Sequence, residues 1–126
     1  MNSATRQNNV ARWVESRFGP HVQNDRRERA MRVLEEAIEL AQAIGISIFD
    51  AGKLVEHVYA RPAGDADQEL AGVGVTSLAM AQCLGIDLEE VIDLEIDRIF
   101  LLPPDHFKRR QQVKVDAGVA CSMEAK

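Results

Sequence analysis

The positions of the prolines most constrain what this chain can fold into. Four prolines occur, at positions 20, 62, 103 and 104, and each lies where a repeating pattern of apolar residues is interrupted. Between these interruptions the apolar residues recur every three or four positions, which is the spacing of an amphipathic α-helix and not of a strand. Because proline ends helices, the interruptions also separate them. The sequence therefore predicts an all-α protein without a sheet.

Capping residues and helix breakers locate the individual helices. Most of the predicted helices begin at Ser, Asp or Asn and end at Gly or Pro, which are the residues that cap and terminate helices. The five predicted helices cover residues 4–18, 25–44, 47–60, 65–84 and 87–100. A shorter helix and a loose end are expected after Asp105.

A short internal repeat predicts how these helices pair. The segments AQAIGISI at 41–48 and AQCLGIDL at 81–88 place a glycine stop and a polar cap at equivalent positions. Each segment therefore marks the turn of a helical hairpin. Two hairpins side by side predict a four-helix-bundle core with the N-terminal helix packed on it. We expect a single domain over residues 1–115 and a flexible tail over 116–126.

Composition excludes several classes of function. The chain has 20 acidic residues and 15 Lys and Arg residues, a net charge of −5, which disfavours a nucleic-acid polymer as a partner. No apolar run approaches the roughly 18 residues needed to cross a membrane, and the first residues do not resemble a signal peptide. The two cysteines, Cys83 and Cys121, form no metal-binding or disulfide motif. These features together predict a cytoplasmic protein.

Several glutamates occupy unusual positions on the predicted helices. Glu69 and Glu95 lie within apolar stripes, and Glu36 lies at the border of an apolar arc with Glu39 one turn further on. In one interpretation Glu95 pairs with Arg98 and Glu69 reaches solvent at its helix end. In the other, the four carboxylates converge, and since clustered carboxylates repel one another, a cation such as Mg²⁺ or Mn²⁺ joins them.

Two segments resemble a known enzyme family. LEEAIEL at 34–40 and QELAGVGVTSLAMAQCLGIDLEEV at 68–91 are similar to the MazG-like all-α nucleoside triphosphate pyrophosphohydrolases. That family carries E-E-x-x-E-L on one helix and E-x-x-D on a later helix, followed by an apolar stretch that ends in L-G-I-D. The resemblance covers about residues 26–100 and implies that Glu36, Glu39 and Glu69 bind metal. Gly72 stands where the family has its Asp, and we infer from its apolar stripe that Glu95 supplies the missing ligand.

The resemblance also implies an activity and an assembly. Family members use Mg²⁺ or Mn²⁺ to split an NTP or dNTP into the monophosphate and pyrophosphate, and they form homodimers or homotetramers. Glu35 or Glu39 would orient the attacking water. Trp13 would stack on the base unless it is an ordinary core residue. The cations expected to bind phosphate are Arg98, Lys53 and Arg61.

A second class of function stays open. The chain would then be a non-catalytic MazG-like helical oligomer that binds nucleotide or a protein partner and has a degenerate metal site. Gly72 favours this alternative because it removes a ligand, whereas Glu69 and Glu95 on apolar stripes favour the enzyme.

Overall fold

The computed structural model describes residues 2–123, and all regular secondary structure in that range is helical. The helices are α1 (Ser3–Phe18), α2 (Pro20–Gln23), α3 (Arg26–Ile44), α4 (Ile48–Tyr59), α5 (Ala66–Leu84), α6 (Leu88–Leu101) and α7 (Pro104–Asp116). No strand occurs among the described residues. The predicted all-α fold class is confirmed.

Local capping sets the helix boundaries. The side chain of Asn2 accepts a hydrogen bond from Thr5 N at the start of α1, and Ser47 and Asp65 cap α4 and α5 in the same way. Gly85 ends α5 in the left-handed conformation, with φ of 68°, which glycine adopts without steric cost. The predicted boundaries agree with the structure within about two residues because such capping depends on neighbours in sequence.

Within residues 2–123, α2 is the helix that the sequence pattern does not predict. It is a single turn that opens with Pro20 directly after Gly19, whose φ of 99° reverses the chain direction. Proline suits the first turn because the N–H that it lacks would have no helical partner there. The same Gly-Pro pair therefore ends one helix and starts the next.

The chain divides into two compact units, where the sequence predicts one domain over 1–115. The first unit comprises the chain up to Leu40 and from Ile96 onward, and the second comprises Ala41–Glu95. Residues 124–126 of the predicted tail lie outside the described residues.

The first unit has an aromatic core. In it, α1 packs against α2 and α7. The ring of Trp13 contacts Phe18, Phe100 and Phe107, with ring centroids 5.9, 6.2 and 4.8 Å apart. We call these four residues the aromatic cluster. Val14 and Val22 are buried as well, so α1, α2, α6 and α7 all contribute to the interior of this unit.

The second unit leaves most of its apolar side chains exposed. Helix α4 has no buried residue, and Ala81 is the one buried residue of α5. The large apolar residues exposed on these two helices are Ile48, Phe49, Leu54, Val55, Val58, Tyr59, Leu70, Val73, Val75, Leu78 and Leu84. The predicted bundle of two packed hairpins is therefore not confirmed.

The described helices differ from a membrane span in length or composition when each is taken alone. No single helix in residues 2–123 is long and apolar enough to cross a membrane, although α5 and α6 taken together as a bent pair meet the same criteria.

Truncation of Phe107 tests the aromatic cluster. Phe107 is 8% exposed and contacts Trp13, so Phe107→Ala should lower the free energy of unfolding by about 3–5 kcal/mol. Urea denaturation followed by tryptophan fluorescence measures the change. Leu101→Ala is the control, since Leu101 is 86% exposed, and it should change stability by less than about 0.5 kcal/mol. Equal losses in the two variants would contradict the described core.

Candidate functional site

Helix α3 carries three of the glutamates singled out in the sequence. It is uninterrupted from Arg26 to Ile44, and both Glu36 and Glu39 are exposed on it. Residues three apart on a helix are neighbours on its surface. The structure thus places the carboxylates of the E-x-x-E pair one turn apart and within reach of a ligand.

Glu35 is engaged by two cations. Its Oε1 lies 2.9 Å from Nζ of Lys114 on α7 and 3.3 Å from Nη1 of Arg32. Both donors use the same oxygen, so a water oriented by Glu35 would have to be held by Oε2. Lys114 lies 79 positions after Glu35, and no local signal in the sequence indicates this contact.

The two glutamates on apolar stripes are exposed. Glu69 lies in the first turn of α5, and Glu95 lies on α6 next to the buried Ile96. Neither side chain is buried in the described chain, although each lies on an apolar stripe. On α5 the stripe itself is uncovered, since Leu70 and Val73 are exposed. On α6 the neighbouring Ile96 is buried, and the Glu95 side chain is nevertheless exposed.

Gly64 leaves room for the Glu69 side chain. A Cβ at position 64 would collide with the Glu69 carboxylate, so any larger residue there would force this side chain to move. The carboxylate therefore folds back toward the loop that precedes α5.

The residues predicted to bind substrate lie in both units. Lys53 and Arg61 are exposed in the second unit, and Arg98 is exposed on the part of α6 that belongs to the first. Trp13 is half-buried in the aromatic cluster. Its ring thus packs within this cluster and also lines an open cavity with Phe100.

The acidic side chains do not form a complete metal site within the described residues. Among residues 2–123, no group of three or more His, Cys, Asp or Glu side chains is arranged to hold a metal ion. Mg²⁺ is usually bound through one or two carboxylates together with substrate phosphates rather than by an all-protein cage. Two exposed carboxylates one turn apart, Glu36 and Glu39, are therefore a suitable donor set for a cation that arrives with a polyphosphate.

A buried carboxylate anchors the segment after α7. Glu28 is 2% exposed, and its Oε1 lies 3.6 Å from Nε of Arg32 and accepts a hydrogen bond from Cys121 N at 3.2 Å. Gln111 Nε2 donates to the Cys121 carbonyl at 2.9 Å, and Arg32 Nη2 donates to the Val119 carbonyl. Because a buried charge is costly unless it is paired, these contacts hold residues 119–121 on α3 and α7. The sequence predicts a flexible tail here.

The same surroundings alter the chemistry of Cys121. Burial raises the pKa of the Cys121 thiol above its ordinary value, and the negative charges of Glu28 and Asp25 raise it further. The thiol next to the buried carboxylate is therefore protonated over a wider pH range than an ordinary cysteine.

No family model, curated protein or solved structure matches this chain. The likeness to MazG-like enzymes accordingly rests on the motifs at 34–40 and 68–91.

The raised pKa of Cys121 predicts slow alkylation. Only the thiolate reacts with iodoacetamide, so Cys121 should react severalfold more slowly than the exposed Cys83 at pH 8 in the folded protein. The difference between the alkylation rates of the two cysteines should become smaller as the pH rises, because more of the Cys121 thiol ionises. Peptide mass mapping after timed labelling measures both rates.

Two comparisons control this experiment. In concentrated urea (about 8 M) the protein is unfolded and Cys121 loses its surroundings. The two cysteines should then react at similar rates. Glu28→Gln should accelerate Cys121 because it removes a neighbouring negative charge. If Cys121 reacts as fast as Cys83 in the folded protein, the described packing of the segment is incorrect.

Proposed function

We propose that the chain is a nucleotide pyrophosphohydrolase that converts an NTP or dNTP into the monophosphate and pyrophosphate. The observation that carries this proposal is the exposed pair Glu36 and Glu39 on an uninterrupted helix, within a motif that resembles the MazG-like family. Carboxylates at this spacing suit a divalent cation bound to phosphate oxygens.

The proposed cofactor is Mg²⁺ or Mn²⁺. Glu36 and Glu39 would hold it. Glu69, from the family motif, and Glu95, from its apolar stripe, are proposed as further ligands, although no group of three such side chains is assembled among residues 2–123. When bound, such an ion neutralises phosphate oxygens and lowers the pKa of a coordinated water.

The chain's own residues supply positioning and charge. Lys114 and Arg32 hold Oε1 of Glu35, which leaves Oε2 to orient a water. Arg98, Lys53 and Arg61 are exposed, and they would donate hydrogen bonds to phosphate oxygens. Trp13 would contact the base.

The exposed apolar side chains support self-association. Large apolar patches on a protein surface mark interaction sites, and α4 and α5 together expose many such side chains. We therefore propose a homodimer or homotetramer in which a second copy covers these helices. We also propose a cytoplasmic location, because the two cysteines form no disulfide motif. The net charge of −5 disfavours nucleic-acid polymers as partners.

Removal of one carboxylate charge tests the activity. Wild-type protein should release pyrophosphate from at least one NTP or dNTP with Mg²⁺ or Mn²⁺ and should release none in EDTA. Mutation of a residue that only supports a metal ligand typically lowers metal affinity or activity by about 10–100-fold. Loss of a ligand itself should cost at least as much, so Glu36→Gln and Glu39→Gln should each lower kcat/KM by at least about 100-fold. A coupled pyrophosphate assay over all common nucleotides measures this.

Two further variants sharpen the result. Glu89→Gln on the surface of α6 is the matched control and should retain activity. Glu95→Gln should weaken Mn²⁺ binding, measured by calorimetry, by at least about tenfold. Inactivity of the wild type with every nucleotide would favour the non-catalytic alternative, which Gly72 supports because it replaces the family's Asp.

Self-association is tested separately. Light scattering at micromolar concentration should give two or four times the chain mass of 14.0 kDa. Phe49 is exposed on α4, so Phe49→Asp should favour the monomer without loss of helix content because it would place a charge in the interface. A wild-type monomer would contradict the proposed assembly.

A further inference from the structure

One face of α1 forms an open cavity with the end of α6. Its volume is about 360 Å³, which lies within the roughly 300–1,000 Å³ of typical ligand pockets. The residues that line it are Asn9, Arg12, Trp13, Ser16, Arg17 and Phe100. The first five recur every three or four positions along α1, so a continuous helix presents them together.

The cavity carries two positive charges. Among residues 2–123, no Asp or Glu side chain forms an ion pair with Arg12 or Arg17. Arginine is the side chain best suited to bind phosphate or carboxylate because its planar guanidinium donates two parallel hydrogen bonds. Two arginines, five residues apart on α1, that line the same cavity therefore favour an anion.

Two lining residues also have donors without acceptors. Trp13 Nε1 and Arg17 Nε are buried and have no hydrogen-bond partner among the described residues. A buried donor without an acceptor costs free energy, so the packing around this cavity carries an unsatisfied polar cost.

Two aromatic rings, those of Trp13 and Phe100, also line the cavity. The rings of Trp13 and Phe100 are nearly parallel, with an angle of 8° between their planes. Aromatic side chains stack on the planar face of a nucleobase, and this contact is largely independent of which base is bound. The cavity thus combines an aromatic surface with two guanidinium groups.

We propose that this cavity binds a nucleoside monophosphate without a metal ion. The base lies against Trp13 and Phe100, and the phosphate accepts hydrogen bonds from Arg12 and Arg17. The choice of a nucleotide among aromatic anions rests on the proposed function, since the monophosphate is its product. The recognition of an anion by arginines does not depend on the glutamates of α3.

The chain's only tryptophan provides the measurement. Trp13 is the single Trp, so its fluorescence, excited at a wavelength that tyrosine does not absorb, reports directly on this cavity. AMP, GMP, CMP and UMP are titrated in EDTA, with adenosine and inorganic phosphate as partial ligands. At least one monophosphate should quench the fluorescence saturably, and adenosine and phosphate should bind at least about tenfold more weakly.

Substitutions assign the binding to the arginines. Arg12→Gln should raise Kd at least about tenfold, and Arg12 is exposed, so folding should be unaffected. Arg17→Lys retains the charge but loses the paired donors, and it should raise Kd as well. Arg26→Gln, an exposed arginine on α3, is the control and should leave Kd unchanged.

The outcomes separate this proposal from the proposed function. Monophosphate binding in EDTA that Arg12→Gln weakens supports the cavity site even if no pyrophosphate is released. Pyrophosphate release with Mg²⁺ but no quenching by any monophosphate in EDTA overturns the site and leaves the enzyme intact. Quenching that is equal in wild type and Arg12→Gln also overturns it.

Discussion

The packing of three phenylalanine rings around Trp13 is the interaction on which the first unit depends. Phe18 belongs to α1, Phe100 to α6 and Phe107 to α7, so one indole joins segments that are far apart in the sequence. Aromatic side chains bury large areas, and edge-to-face pairs such as Trp13–Phe107 add to that burial. Two of these rings, Trp13 and Phe100, also line the α1 cavity, so part of the cluster that stabilises this unit also belongs to its candidate ligand site.

Charged side chains also stabilise the first unit. Glu28 has almost no contact with solvent, and it holds the backbone of Cys121 while Arg32 holds that of Val119. Glu35 joins α3 to α7 through Lys114. Removal of one partner of a buried ion pair strongly lowers the stability of a protein. These contacts therefore couple the position of the segment after α7 to the helix that carries Glu36 and Glu39. Changes in that segment can therefore reach the proposed catalytic helix.

The second unit follows a different principle. Its helices have correct caps and strong apolar character, yet they expose side chains such as Phe49 and Leu70. Helical stability in proteins comes mostly from packing of an apolar face. The exposed faces of α4 and α5 thus agree with the proposed second copy, which would supply the packing that this chain alone does not provide.

Helix positions follow from the sequence because caps, glycine stops and prolines act on near neighbours, as Ser47, Asp65 and Gly85 show. The exposed pair Glu36 and Glu39 is likewise evident from its spacing on a helix. The tertiary structure decided which contacts join distant positions, such as Lys114 with Glu35 and Phe100 with Trp13. It also decided that the apolar stripe bearing Glu69 is uncovered, and that Glu95 is exposed although Ile96 beside it is buried. Periodicity shows that a face is apolar, but burial depends on whether another surface packs against it, and that information is not local.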